Sequence, residues 1–552
     1  MGPWDVAEVL CFEHINRRTT WNYWTTRLPS DVDLPTNPTN VPSGARMHRC
    51  LSVDEILRLV ARELLGSGLK ATAVSLACSC RTFQDPVLDE LWETQDRLIP
   101  LLKCLPQEVW QEESGVFTLQ RIPTKAEWDA FRKHAQRMRN CKLDTSEDPL
   151  TSEILLALQL RTANEPFTPM LEAFECKQAE EAFIPFIPLF VSPRTSDINI
   201  TFSEDTPSLV VASTISRFPT LCPQLESIKF NSLEWDSIVI DAVSEMLLAC
   251  NRDFLHTFNV DSPLTEEARE VLYQLPNLSD LWVVIQDRTL LPPVVLPNLT
   301  SIDIDYDEDL EWLQGFREAN LAKLESMAFH CESEQIGDFL GAFGSVVSTT
   351  SAQHTLSSFR FYTSSSWDPS YLALLPFKEL KALEIEFYCY DGCSSKVDDD
   401  IITLLAQAMP KLECLKLGRT PCRTPTGVTA QGIIALASRC LRLSRLRIHF
   451  LGDSLAEVAT VAEDISLTKD EPVVRREDCG LKHLEVGRIP IPPGSAVRIA
   501  LSLLQIFPRI LKVEYGTPEW GTVAETIEDF RRIGIFVGRA AGVGTGGLSG
   551  GA

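Results

Sequence analysis

Positive charge is scarce in this chain of 552 residues: 51 Lys and Arg stand against 76 Asp and Glu, a formal charge of −25. Net repulsion of that size opposes phosphate backbones and anionic lipid surfaces, which excludes a general nucleic-acid or membrane-surface binder. Long apolar runs are missing as well. The longest, Phe183 to Val191, is broken by Pro185 and Pro188 and falls far short of a bilayer span. No secretory pattern opens the chain. The 16 cysteines are dispersed, and neither Cys78/Cys80 nor Cys389/Cys393 has a second pair at zinc spacing. They read as reduced thiols of an intracellular protein, in cytoplasm or nucleus. The sequons at Asn199, Asn277 and Asn298 would then never meet the glycosylating enzyme. Catalytic signatures are absent too: no phosphate loop ends in Gly-Lys-Ser/Thr, and no Gly-x-Ser-x-Gly elbow occurs. Gly542 to Gly547 matches the dinucleotide fingerprint by letters, without a strand before it or room for a helix after it. The sequence predicts no enzyme, no metal and no cofactor.

What the chain does hold is repetition. From Leu171 onward, an apolar residue is followed by two free positions, an apolar residue, one free position and another apolar residue. The copies begin at Leu171, Thr195, Leu225, Leu255, Leu278, Leu299, Leu324, Leu356, Leu380, Leu412, Leu443, Leu481 and Ile510. Their mean spacing of about 28 residues lies in the leucine-rich-repeat range. The last two apolar positions alternate along a short strand, so both face one side while their neighbours face the other. Helical patterns lie between the strands (Ile238 to Leu248, Ile401 to Met409, Ile433 to Ala437, Val497 to Phe507), and Pro276, Pro297, Pro410 and Pro508 stand just before strands. One such unit cannot bury its apolar face alone, whereas stacked units share a core. The predicted fold is α/β: an irregular solenoid over 166–537, parallel strands concave and helices convex, closed by a helix from Thr522 to Val537. Segments 1–46, despite Trp4, Trp21 and Trp24, and 538–552 read as disordered.

Segment 107–165 reads as a helical connecting region. Thr124 and Glu127 form a capping box ahead of an apolar stripe of Trp128, Phe131, Ala135 and Met138. Lys125, Arg132, Lys133, Arg137 and Arg139 mark the opposite face, either a solvated side or a surface for phosphate or a partner. A further helix is predicted from Ser152 to Leu160.

Segment 47–106 holds three short helices with more apolar residues than so small a body can bury. Ser52 and Glu55 make a capping box, with Ile56, Leu57, Val60 and Leu64 behind it. Gly66-Ser67-Gly68 ends this helix, Lys70 to Cys80 forms the second, and Asp85-Pro86 is expected to start the third. Leu51, Glu55-Ile56-Leu57, the run Leu76-Ala77-Cys78 to Arg81-Thr82-Phe83, and Leu88 to Trp92 together resemble an F-box. The chain is similar to the large fungal F-box/leucine-rich-repeat families, although Ser52-Val53-Asp54 stands where a proline usually precedes the first helix. The resemblance implies docking on a Skp-family adaptor and, through it, a cullin ubiquitin ligase. The adaptor-binding positions it implies are Leu51, Val53, Ile56, Leu57, Val60, Leu76, Phe83, Leu91 and Trp92.

The free positions of each repeat are expected to line the concave sheet and hold a target protein. There Asp303, Asp305, Glu384 and Glu386 precede a basic arc of Lys416, Arg445, Arg447 and His449, with Arg419, Arg423 and Arg442 near in sequence. Trp282, His330, Arg360 and Tyr362 add the large side chains that dominate binding hot spots. The basic arc suits an acidic or phosphorylated target. The competing reading is a repeat scaffold that binds partners without any ligase.

Overall fold

The computed structural model describes residues 53–533, apart from 114–115, 147–150, 163–164, 234–235, 286–293, 307–310, 318, 332–335, 348–349, 364–372, 388–396, 419–426 and 459–478. Leu51, Ser52, Arg419, Arg423, Cys389, Cys393, both terminal segments and the glycine run at 542–547 lie outside the described residues. The chain divides into two compact units, Met1–Ala268 and Arg269–Ala552.

The first unit begins with helices α1 (Asp54–Gly66), α2 (Lys70–Ser79) and α3 (Arg81–Glu93), which pack on one another. The N-cap of α1 is Val53, which offers no side-chain hydrogen bond; Asp54 and Glu55 place carboxylates in the first turn, where the helix dipole favours them. Its end follows the glycines. The Gly68 amide bonds the Leu65 carbonyl and the Leu69 amide bonds that of Leu64, a Schellman closure with Gly68 at φ +75°. Helix α3 starts at Arg81, earlier than Asp85-Pro86 suggests, and Pro86 sits buried within it. A proline there forfeits one backbone bond, while Val87, Leu88 and Trp92 continue a buried face beyond it.

No linker follows. Glu93 is succeeded directly by strand β1 (Thr94–Gln95), which pairs in parallel with β4 (Asn140–Asp144). An antiparallel hairpin of β2 (Trp110–Glu113) and β3 (Val116–Leu119) and helix α4 (Lys125–Ala135) lie between them in sequence. The Thr124/Glu127 capping box forms as the sequence predicts. The sheet goes on in parallel through β5 (Ala173–Ala179), β6 (Asp197–Phe202), β7 (Ser227–Asn231) and β8 (Thr257–Val260). Helices Ser152–Thr162, Ser208–Ile215 and Ser237–Ala249 occupy the intervening segments. The repeat therefore starts before Leu171: Met138, Cys141 and Leu143 are buried at the same spacing.

Among the described residues, the second unit holds nine parallel strands in chain order. They are β9 (Asp280–Ile285), β10 (Ser301–Tyr306), β11 (Ser326–Cys331), β12 (Ser358–Thr363), β13 (Ala382–Phe387), β14 (Cys414–Leu417), β15 (Arg445–Arg447), β16 (His483–Val486) and β17 (Lys512–Tyr515). Each successive pair is parallel and in register. The fold is the leucine-rich-repeat type of α/β solenoid. The triplets of the thirteen predicted copies are buried at every position except Tyr515, which is half exposed on β17. Helix Pro518–Arg532 closes this unit, with Trp520 buried and its indole N–H bonded to the Ile489 carbonyl.

Helix starts are tied between repeats. Asp399 accepts from the Thr429 amide at 2.7 Å and the Gly432 amide at 2.9 Å, and from the Thr429 hydroxyl at 2.5 Å. A carboxylate from one repeat thus satisfies the orphan amides of helix Ala430–Arg439 in the next. Gly432 lets it come close, since a Cβ there would lie 2.6 Å from the carboxylate oxygen. Asp261 ties the turn after β7 to the next repeat, accepting from the amides of Ser232 and Leu233 at 2.8 and 3.1 Å, with Ser232 at φ 59°.

Candidate functional site

The three-helix surface divides the eight predicted adaptor-docking positions that lie among the described residues. Leu57 and Trp92 are each 1% exposed and belong to the core, so they offer nothing to a partner. Ile56, Leu76, Phe83 and Leu91 are half-buried. Val53 and Val60 are exposed, and so are Leu59 and Leu69, at 59% and 50%, which the family pattern does not single out. Val53, Ile56 and Val60 recur at helical spacing on a side of α1 that the bundle leaves uncovered, while Leu57 and Ala61 take the buried side.

Ion pairs fix this bundle. Arg62 holds the buried Glu90 through two bonds of 3.0 and 3.1 Å, and Arg58 pairs with Asp89 and lies 3.8 Å from Glu90. Burial and the neighbouring Glu90 raise the carboxyl of Glu93 above the usual carboxylate range. The basic side of the α4 region is spent in the same way. Arg137 reaches back to Asp85 at 2.6 Å and also to Asp89, Arg139 pairs with Glu172 at 3.3 Å, and Arg132 with Glu165 at 3.5 Å. It joins elements within the unit, which disposes of a free phosphate surface at those three arginines. His134 is buried against Trp92, ring centroids 5.2 Å apart. Burial, with the charges of Arg137 and Lys133 added, lowers its pKa to about 4, so it is neutral at pH 7.

Of the predicted target-binding positions, Trp282, His330, Arg360, Tyr362, Lys416, Arg445 and Arg447 lie on strands of the second unit and His449 just beyond β15, but they do not form a cationic arc. Register sets Trp282, Asp303, Ala328, Arg360, Glu384, Lys416, Arg447 and Glu485 in one row across the strands. Lys416 meets Glu384 at 3.1 Å, while Arg447 meets both Glu386 and Glu485 at 2.7 Å. His449 is buried. Arg445 alone of the four is exposed, joined at the surface by Arg442. Acidic and basic blocks that look like separate regions in sequence are thus the two sides of one ladder. Arg447 reaches Glu386 of β13 across the intervening strand β14. Burial alone would lower the pKa of this guanidinium, but its bonds to Glu485 and Glu386 outweigh that and raise it.

At the other end, His330 and Tyr362 stack with centroids 4.5 Å apart and planes 12° from parallel. His330 Nε2 lies 3.2 Å from Asp303. Burial pushes the imidazole pKa down, yet the bond to Asp303 and the charges of Asp303 and Asp305 raise it overall. Arg360 is exposed and Trp282 half-buried beside them, the indole N–H without a partner among the described residues.

Among the described residues, no group of His, Cys, Asp or Glu is placed to hold a metal, and no helix is long and apolar enough to cross a membrane. Burial pushes the thiols of Cys176, Cys222, Cys250 and Cys440 up to about 12, so they are unreactive at neutral pH.

No family model and no curated protein matches the chain. Solved structures do. An internalin from Listeria monocytogenes is similar over 70% of this chain and 83% of its own, at 11% identity and a TM-score of 0.32. The Rad7 and Elc1 complex from yeast contributes a chain similar over 68% of this one and 92% of its own, at 14% identity and a TM-score of 0.36. A Bacteroides fragilis protein is similar over 59% of this chain and 66% of its own, at 13% identity and a TM-score of 0.24.

Proposed function

We propose that this chain is the target-recognition subunit of a Skp–cullin–F-box ubiquitin ligase, its α1–α3 bundle docking a Skp-family adaptor and its repeat sheet holding a target protein. The observation that carries this reading is the uncovered apolar side of α1. Val53, Leu59 and Val60, with Leu69 just beyond the helix, are exposed on a bundle whose apolar core is Leu57, Ala61, Val74, Val87, Leu88 and Trp92. Exposed aliphatic side chains gathered on one short helix call for a partner surface. The chain's own contribution is then positioning: it holds the target beside an enzyme carried by another subunit and raises its effective concentration there. Such a task needs no catalytic group in this chain. The leucine-rich-repeat solenoid is equally suited to a scaffold without a ligase, and one experiment separates the two. The full chain, tagged and expressed with a Skp-family adaptor, is expected to co-purify with it, and Leu59→Glu with Val60→Glu to abolish the complex while the melting curve stays unchanged. Absence of a complex with the unaltered chain refutes the ligase reading and leaves the scaffold.

A further inference from the structure

The face of the second unit's sheet opposite its buried side has a charge distribution that selects its partner. Along β9 to β13 the outward positions carry the carboxylates Asp280, Asp303 and Asp305, together with Glu384 and Glu386 that are held by cations of β14 and β15, against one guanidinium, Arg360, and the imidazole of His330. Glu384 and Glu386 engage Lys416 and Arg447, so those two cations are already neutralised and cannot serve an acidic partner. Interleaved with the aspartates are flat rings: Trp282 opposite Asp303, and the His330/Tyr362 stack beside Asp303 and Asp305. Small residues, Ser301, Ser326, Ser358 and Ala382, form the neighbouring row and leave the rings standing above it.

We propose that this face takes an extended basic segment of a partner protein, with Lys or Arg side chains lying on Trp282 and Tyr362 among Asp303 and Asp305. Aromatic faces attract cations within ~6 Å, Arg most often, and neighbouring carboxylates add Coulomb attraction. Five strands at ~4.8 Å spacing span roughly 19 Å, the length of about six extended residues. The excess of 25 negative charges over the chain attracts the same partner from a distance. This deepens the proposed function by naming the class of target, and it replaces the acidic target that an unpaired basic arc would have favoured.

The test uses the full chain without adaptor, so its failure leaves the adaptor reading untouched and the reverse holds too. Binding of a fluorescent, end-blocked hexa-arginine peptide is measured by anisotropy at physiological salt, with hexa-glutamate as the opposite probe. Asp303→Asn with Asp305→Asn is expected to weaken hexa-arginine binding about tenfold. Tyr362→Ala, which changes no charge, should weaken it several-fold. Glu525→Gln with Glu528→Gln, the same charge change on the exposed side of helix Pro518–Arg532, should leave it within twofold. Should the double aspartate variant fail to fold, Tyr362→Ala decides alone. The proposal is overturned if the face variants bind no more weakly than the helix variant, which would mean attraction by net charge only, or if hexa-glutamate binds more tightly than hexa-arginine.

Discussion

Replacing Arg447 with methionine keeps most of its stem and removes the charge between Glu386 and Glu485. The side chains of these three residues are 14%, 18% and 16% exposed, so water screens the change only partly. Removing one partner from a fully buried pair costs about 3–5 kcal/mol because a charge is left uncompensated. Here two carboxylates are stranded in a site still touched by solvent, and about 2–4 kcal/mol is expected. In a unit of this size that lowers the melting temperature by roughly 5–12 °C. Arg445→Met, on the exposed neighbour, should stay within about 0.5 kcal/mol. The decisive arm is rescue: adding Glu386→Gln and Glu485→Gln to Arg447→Met should recover more than half of the loss, as both stranded charges disappear. Thermal melts of the four proteins settle it. An Arg447→Met protein that melts with the wild type, or a triple variant no better than the single one, refutes the ladder as a stabilising device. One practical consequence is that charge reversal at Arg447 is not a clean probe of target binding.

Acid should loosen the first unit through His134, whose folded pKa of about 4 lies below its ordinary 6.5. The unfolded state then binds more protons in that window, so stability is full above pH 6.5 and falls as pH drops towards 4, by about 3 kcal/mol in total; His134→Phe should flatten that part of a denaturation-versus-pH curve. Gly432→Ala should cost about 1–2 kcal/mol in a thermal melt by displacing the Asp399 carboxylate from its cap, and Asp399→Ala a similar amount. Gly68→Ala meets no atom within 4 Å but must hold φ +75°, which should cost about 1 kcal/mol by urea denaturation.

Alternation along strands made the solenoid legible, because a buried side demands the same two apolar positions whatever the loops do. The copy at Met138, Cys141 and Leu143 is hard to read because Met138 also continues the helical stripe of Trp128, Phe131 and Ala135. Pro86 looked like a helix start, yet α3 runs through it because its buried face continues on both sides. On α1, helical spacing fits two apolar sides equally, Leu57 with Ala61 and Val53 with Val60; only packing against α3 tells which is core. The ladder was hidden for another reason. Glu386 and Arg447 are 61 positions apart, and their meeting depends on strand register. Charge signs can be read locally, whereas pairing across repeats cannot.

The direct passage from Glu93 into Thr94 has a mechanical consequence. The Arg139 amide bonds the Glu93 carbonyl at 2.9 Å, and Arg137 holds Asp85 and Asp89 of α3, so bundle and first strands are joined by backbone and side-chain bonds. A flexible tether lets its two ends sample a volume that widens with length and dilutes each encounter. Here no such tether stands between Glu93 and Thr94. A body seated on α1 would keep a fixed heading towards strands β4 to β8, like a bracket bolted to a beam, and reach would be set by the number of repeats laid down instead of by chance excursions of a linker.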